Sequence, residues 1–119
     1  MARLSTYGEQ ELKKLLPEAF YSALALADIL KVHPRTLSRR TRSLFGLSTQ
    51  AWADQERLVA APKALTEFRS VKVAAYRLGF KHPQQLSMIF KRHYGCCPTE
   101  FLAKQDREQV LTRRTPNLR

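Results

Sequence analysis

Apolar residues recur along this chain at helical rather than strand spacing. Ala23, Leu26, Ala27 and Leu30 fall on one face of a short helix, and Ser22 just ahead of them suits an N-cap. Lys31, Val32 and His33 make a turn. Pro34 then fits the first helical position, where its missing N–H costs nothing, with His33 as the cap. The helix it opens runs to about Phe45 and stops at Gly46. Leu37, Thr41 and Leu44 face inward on it, while Arg35, Ser38, Arg39 and Arg42 lie on or near the opposite face.

The plan then repeats. His33, Pro34, Leu37, Ser38 and Gly46 return 49 positions later as His82, Pro83, Leu86, Ser87 and Gly95, and Phe45 meets the aromatic Tyr94 at the same offset. Upstream, Ser22, Ala27 and Leu30 meet Ser70, Ala75 and Leu78 at an offset of 48, so one unit carries a single extra turn residue. In the second unit Ser70 caps Val71 to Leu78, Gly79 permits a left-handed turn and Phe80 fills the gap between helices. Pro83 starts a helix through Tyr94, with Leu86, Ile89 and Phe90 inward and Gln84, Gln85, Met88 and Lys91 outward. Helix, short turn, helix is the helix-turn-helix unit, and two stand in tandem.

Three pieces remain. Tyr7 to Leu16 reads as an amphipathic first helix packing Leu12, Leu15 and Leu16, ending before Pro17. Ser48 or Thr49 caps a connecting helix from Gln50 to about Leu65, burying Trp52, Leu58, Ala61 and Leu65. Pro62 inside it predicts a kink or an early break. Cys97-Pro98-Thr99-Glu100 reads as the start of a last helix that closes the second unit with Phe101 and Leu102. Beyond Gln109, VLTRRTPNLR is expected to be a frayed basic tail. The expected architecture is all-α: a tandem double helix-turn-helix, with a first subdomain over 1–47, a connecting helix over 48–66, a second subdomain over 67–109 and a tail over 110–119.

Charge turns this architecture towards a partner. Twenty-one Lys and Arg against ten Asp and Glu leave +11, and such self-repulsion is best explained by a polyanion. The basic residues do not lie opposite one long apolar face, which argues against a membrane surface. With no run of 18 apolar residues and no secretory signal, a cytoplasmic, nucleoid-associated location is expected. Cys96 and Cys97 are adjacent, without metal-ligand spacing, and read as a thiol pair at a turn. His33 and His82 fall in different units, so no metal is expected, nor a cofactor. Scattered acidic residues and no nucleophile-base-carboxylate set argue against an enzyme, and no small-molecule pocket is evident.

The stretches LADILKVHPRTLSRRTRSLFGLS (26–48) and SVKVAAYRLGFKHPQQLSMIFKRHYGCCPTEF (70–101) resemble the DNA-binding region of the AraC/XylS family of bacterial transcription regulators. The resemblance runs from about Leu12 to Leu102. It rests most on the L-G-F turn, the F-K-R before an aromatic-glycine pair, and the proline and closing aromatic that follow. It implies seven helices, with both recognition helices entering successive major-groove segments on one DNA face. It also implies a transcription regulator, an activator by family tendency, that would touch RNA polymerase as well as duplex DNA. The alternatives are a DNA-binding fragment of a longer effector-sensing regulator, or an architectural protein without its own activation function. Cys97 stands where a serine usually caps the last helix, Lys31 replaces a more usual glycine, and Met88 replaces a polar or basic residue.

By position and chemistry, Arg35, Ser38 and Arg39 of the first unit and Gln84, Gln85 and Met88 of the second are the candidate base contacts. Arginine forks suit guanine O6 and N7, glutamine amides suit adenine N6 and N7, and methionine suits a thymine methyl. His33, Arg40, Arg42, Lys81, His82, Lys91 and Arg92 are the candidate phosphate contacts, the two histidines doubling as caps. Helices set about 34 Å apart would let a monomer span an asymmetric bipartite site of roughly 15 to 20 base pairs.

Overall fold

Helix ends fall where capping side chains and left-handed residues put them. The computed structural model describes residues 7–114, with side chains as far as residue 108. In order come α1 (Glu9–Leu15), a 3-10 turn (Pro17–Ala19), α2 (Ala23–Leu30), α3 (Pro34–Phe45), α4 (Thr49–Phe68), α5 (Val71–Arg77), α6 (Pro83–Tyr94) and α7 (Pro98–Arg114). The fold is all-α: α2–α3 and α5–α6 are the two helix-turn-helix units, and α4 joins them. The hydroxyls of Ser22, Ser48 and Ser70 accept from the amides of Ala25, Ala51 and Val73 at 3.3, 3.4 and 3.2 Å, fixing the starts of α2, α4 and α5.

Some boundaries differ from the pattern. α1 starts at Glu9, because the Glu11 carboxylate reaches back to accept from the Gly8 amide. α7 stays helical through Arg114, past the expected fraying point at Gln109, since no proline interrupts it before Pro116. The rest of the expected tail, 115–119, lies outside the described residues.

The larger correction concerns Pro62. α4 runs unbroken through it to Phe68. Proline has no N–H to give the carbonyl four residues earlier, that of Leu58, and such an orphan would ordinarily weaken the helix. Here the Tyr94 hydroxyl, from the end of α6, donates to the Leu58 oxygen at 2.7 Å. Leu58 is accordingly only half-buried, and Ala53 and Ala64 join Trp52, Ala61 and Leu65 as the buried face of α4.

One apolar core runs through both units. Leu12, Leu26 and Leu37 enter it from the first, Trp52 and Leu65 from α4, and Ala75, Leu86 and Phe90 from the second. Trp52 stacks on Phe45 with ring centroids 4.5 Å apart. Thr41, fully buried on α3, donates to the Ser38 carbonyl at 3.0 Å, which leaves the Thr49 hydroxyl to donate to Thr41 across 3.2 Å. That pair ties α3 to the first turn of α4.

The units also touch directly. After the 3-10 turn the chain bends through two successive left-handed residues, Phe20 (φ 52°) and Tyr21 (φ 56°). Left-handed backbone costs a side-chain-bearing residue about 1–2 kcal/mol, so something must hold it. Gln50 on α4 does so: its Nε2 donates to the Tyr21 carbonyl at 3.1 Å while its Oε1 accepts from the Ala23 amide at 2.9 Å. The Phe20 carbonyl meanwhile rests against Gly79 of the second unit, where an added Cβ would sit 1.9 Å from that oxygen. Gly79→Ala therefore combines left-handed strain with a backbone clash and is expected to cost about 2–5 kcal/mol in urea unfolding. Gly46→Ala, at φ 76° with open space around it, should cost only about 1–2 kcal/mol.

Candidate nucleic-acid interface

α3 and α6 are matched in length at 12 residues each, and neither carries an acidic residue. The ten carboxylates of the chain all lie on other elements. Ion pairs join Arg57 to Asp54 and Arg69 to Asp106, so neither draws on a cation of α3 or α6. On α3, Arg35, Arg39 and Arg42 are exposed, while Ser38 is half-buried. On and just before α6, Lys81, His82, Gln84, Gln85, Met88, Lys91 and Arg92 are exposed. Met88 is 59% exposed, an apolar side chain on a polar helix face.

Arg40 is placed differently from its neighbours. It is half-buried, and its Nη2 donates to the Tyr7 carbonyl at 3.0 Å, tying the segment before α1 to α3. Its Nε is buried without a protein partner. The guanidinium thus has one partner within the fold and keeps other N–H groups uncommitted.

The two helix starts look alike in sequence and are capped by different atoms. His33 Nδ1 accepts from the Arg35 amide at 3.1 Å. At the second start the His82 side chain makes no such bond; instead Gln85 Oε1 accepts from the amides of Lys81 at 3.0 Å and His82 at 3.3 Å. Gln85 thus spends its acceptor on the turn and retains the amide nitrogen as a donor. Both turns need a left-handed residue, Lys31 (φ 59°) in the first and Gly79 (φ 85°) in the second. Lys31 carries there the strain that the more usual glycine avoids.

Residues that sequence reasoning missed hold the two starts in place. Gln50, which clamps the bend before α2, also donates to Asp54 at 2.9 Å. Asp54 pairs with Arg57, whose guanidinium lies 4.3 Å above the Phe80 ring in the second turn. The partners of Gln50 in the bend lie 27 and 29 residues away, so no local pattern could have revealed them. Pro62 did leave a trace, because a proline in a helix requires some donor for the carbonyl one turn before it. Burial pushes the Tyr94 phenol, that donor, above its ordinary value of 10.0. The neutral form is favoured in the fold, so its contribution is complete below the ordinary value and lost only as the pH rises through the raised one.

Other features lie apart from these helices. Cys96 and Cys97 are half-buried free thiols, and Cys97 Sγ lies 3.2 Å from Thr99 Oγ1 and 3.3 Å from Glu100 Oε1. Where no pocket was evident in the sequence, the structure has an open groove of about 670 Å³ walled by Phe20, Tyr21, Ala64, Phe68 and Leu78. No residue of α3 or α6 lines it. No helix of the described residues is long and apolar enough to cross a membrane.

A family model described as a helix-turn-helix domain matches residues 26–104. Curated relatives include the HTH-type transcriptional regulator RipA of Corynebacterium glutamicum, 33% identical over 66% of this chain and 24% of its own length. The transcriptional activator RhaS of Enterobacter sp. is 32% identical over 68% of this chain and 30% of its own. The regulator VirS of Mycobacterium tuberculosis is 33% identical over 76% of this chain and 27% of its own. The aligned region thus spans less than a third of each of these relatives.

The asymmetric caps are separable by mutation. His33→Ala and Gln85→Ala should each lower stability by about 0.5–2 kcal/mol, and His82→Ala by less, in parallel urea titrations. Equal losses at His33 and His82 would contradict the capping described.

Proposed function

Because the chain belongs to the AraC/XylS family of helix-turn-helix proteins, we propose that it is a transcription regulator that binds duplex DNA through α3 and α6. The observation that carries this reading is the pairing of two matched helices, free of acidic residues and lined with exposed basic and amide groups, on one connecting helix. In this reading Arg35 and Arg39 present their forks to guanine edges, with Ser38 between them, in one major-groove segment. Gln84 pairs with adenine in the next, Met88 meets a thymine methyl, and Gln85 offers the amide nitrogen that its cap leaves over. His33, Arg40, Arg42, Lys81, His82, Lys91 and Arg92 hold phosphates and set the register, Arg40 through the N–H groups that Tyr7 leaves over.

In this reading the subdomains are 1–47, carrying α3, a connector over 48–66, and 67–109, carrying α6, with a tail over 110–119; α4 itself runs on to Phe68, and α7 to Arg114. Two helices on one chain let a monomer read a bipartite site without dimer symmetry. The name of the RhaS relative supports an activator, and activation would add RNA polymerase to DNA as a partner. The reading asks for no chemistry on a substrate and places the protein in the cytoplasm with the nucleoid. A second reading, in which this DNA-binding unit serves a longer effector-sensing regulator, is supported by the greater length of the relatives.

Selection from a random duplex library at about 0.15 M salt tests the reading directly. A bipartite site of roughly 15 to 20 base pairs is expected. Arg35→Ala should lose about 5–100-fold of preference in one half, and Gln84→Ala a similar factor in the other. Lys91→Ala should weaken all sequences alike and lower the salt slope by about one. Binding without enrichment, lost uniformly as salt rises, would instead identify an architectural protein.

A further inference from the structure

At the repeat offset, Phe45 and Tyr94 are equivalent: each is the aromatic before the glycine that ends a recognition helix. Both dock that helix end on α4, by different physics. Phe45 stacks on Trp52 at 4.5 Å with the rings 6° from parallel, an apolar contact that tolerates sliding. Tyr94 donates its hydroxyl at 2.7 Å to the Leu58 carbonyl, which has no amide partner four residues on because Pro62 stands there. A hydrogen bond to a carbonyl is directional. The Tyr94 ring, itself 40% exposed, packs 4.6 Å from the fully buried Phe90, a contact that helps orient the hydroxyl.

We propose that Tyr94 is a positioning residue, its hydroxyl latching the end of α6 to the carbonyl that Pro62 leaves open in α4 and so setting where the second recognition helix sits relative to the first. The proposal rests on the DNA-reading role above and goes beyond it by naming what fixes the gap between half-sites. α7 is anchored separately, through Gln105 beside Thr66 and Asp106 on Arg69. Loss of the latch therefore loosens the end of α6 while Leu86 and Phe90 keep the helix in the core.

The test compares the intact chain with Y94F and with the double variant P62A/Y94F. One readout is binding to bipartite duplexes whose gap is lengthened or shortened by a base pair or two; the other is amide hydrogen exchange. Y94F is expected to lose about three- to tenfold of its discrimination between gaps, with base preference within each half retained. Its α6 amides should exchange about three- to tenfold faster while those of α3 stay unchanged. In P62A/Y94F the alanine amide satisfies Leu58, so thermal stability returns but gap tolerance and fast α6 exchange persist. Y94F with unaltered gap preference and α6 exchange overturns the latch. So does a double variant that regains both, since the hydroxyl would then merely satisfy a carbonyl. If the intact chain selects no bipartite site, the DNA-reading role falls, and α6 exchange alone decides the latch.

Discussion

The approach of the Phe20 carbonyl to Gly79 is the contact on which the arrangement of the two units depends. A Cβ at Gly79 would overlap that oxygen, so the second turn can lie against the first unit only with a glycine there. The carbonyl points that way because Phe20 and Tyr21 are both left-handed. That strain persists because α4 holds the next carbonyl through Gln50. The Phe20 ring adds a contact with Tyr76 at 5.5 Å, on the helix that leads into Gly79.

From Gln50 a polar line continues along α4 through Asp54 to Arg57 and ends on the Phe80 ring. It joins the start of α2 to the turn before α6. An exposed ion pair alone contributes little. Here Arg57 is mostly covered, its side chain 18% exposed, and it engages a carboxylate and an aromatic face together, so the geometry is fixed from two directions. α4 thus does more than span a distance: its polar edge aligns the units and its apolar face supplies the centre of a shared core.

The acidic residues lie off α3 and α6. Removing carboxylates from α3 and α6 leaves their basic side chains to face outward, and the ion pairs near α4 and α7 keep structural charge elsewhere. Arg40 shows that neighbouring charges on α3 have different surroundings. It lies next to Arg39 in the chain, yet one step round a helix turns its guanidinium towards Tyr7 and the interior edge.

Much of the fold was legible locally. The serine caps, the proline starts, the glycine stops and the repeat at 49 positions follow from chemistry that acts within a turn of helix, and the structure places α2 and α3 within the limits the pattern drew. The sequence also marked the residues on the outer faces of α3 and α6, because helical periodicity fixes which side of an amphipathic helix is buried. Tertiary structure alone decided the rest: that α4 survives Pro62, that Gln85 caps where His82 was expected to, and that Gly79 meets Phe20. Each of these depends on an atom brought from another element or on which of several neighbouring atoms wins one acceptor. A single hydrogen bond of about 1 kcal/mol settles such contests, and its geometry exists only once the chain has folded.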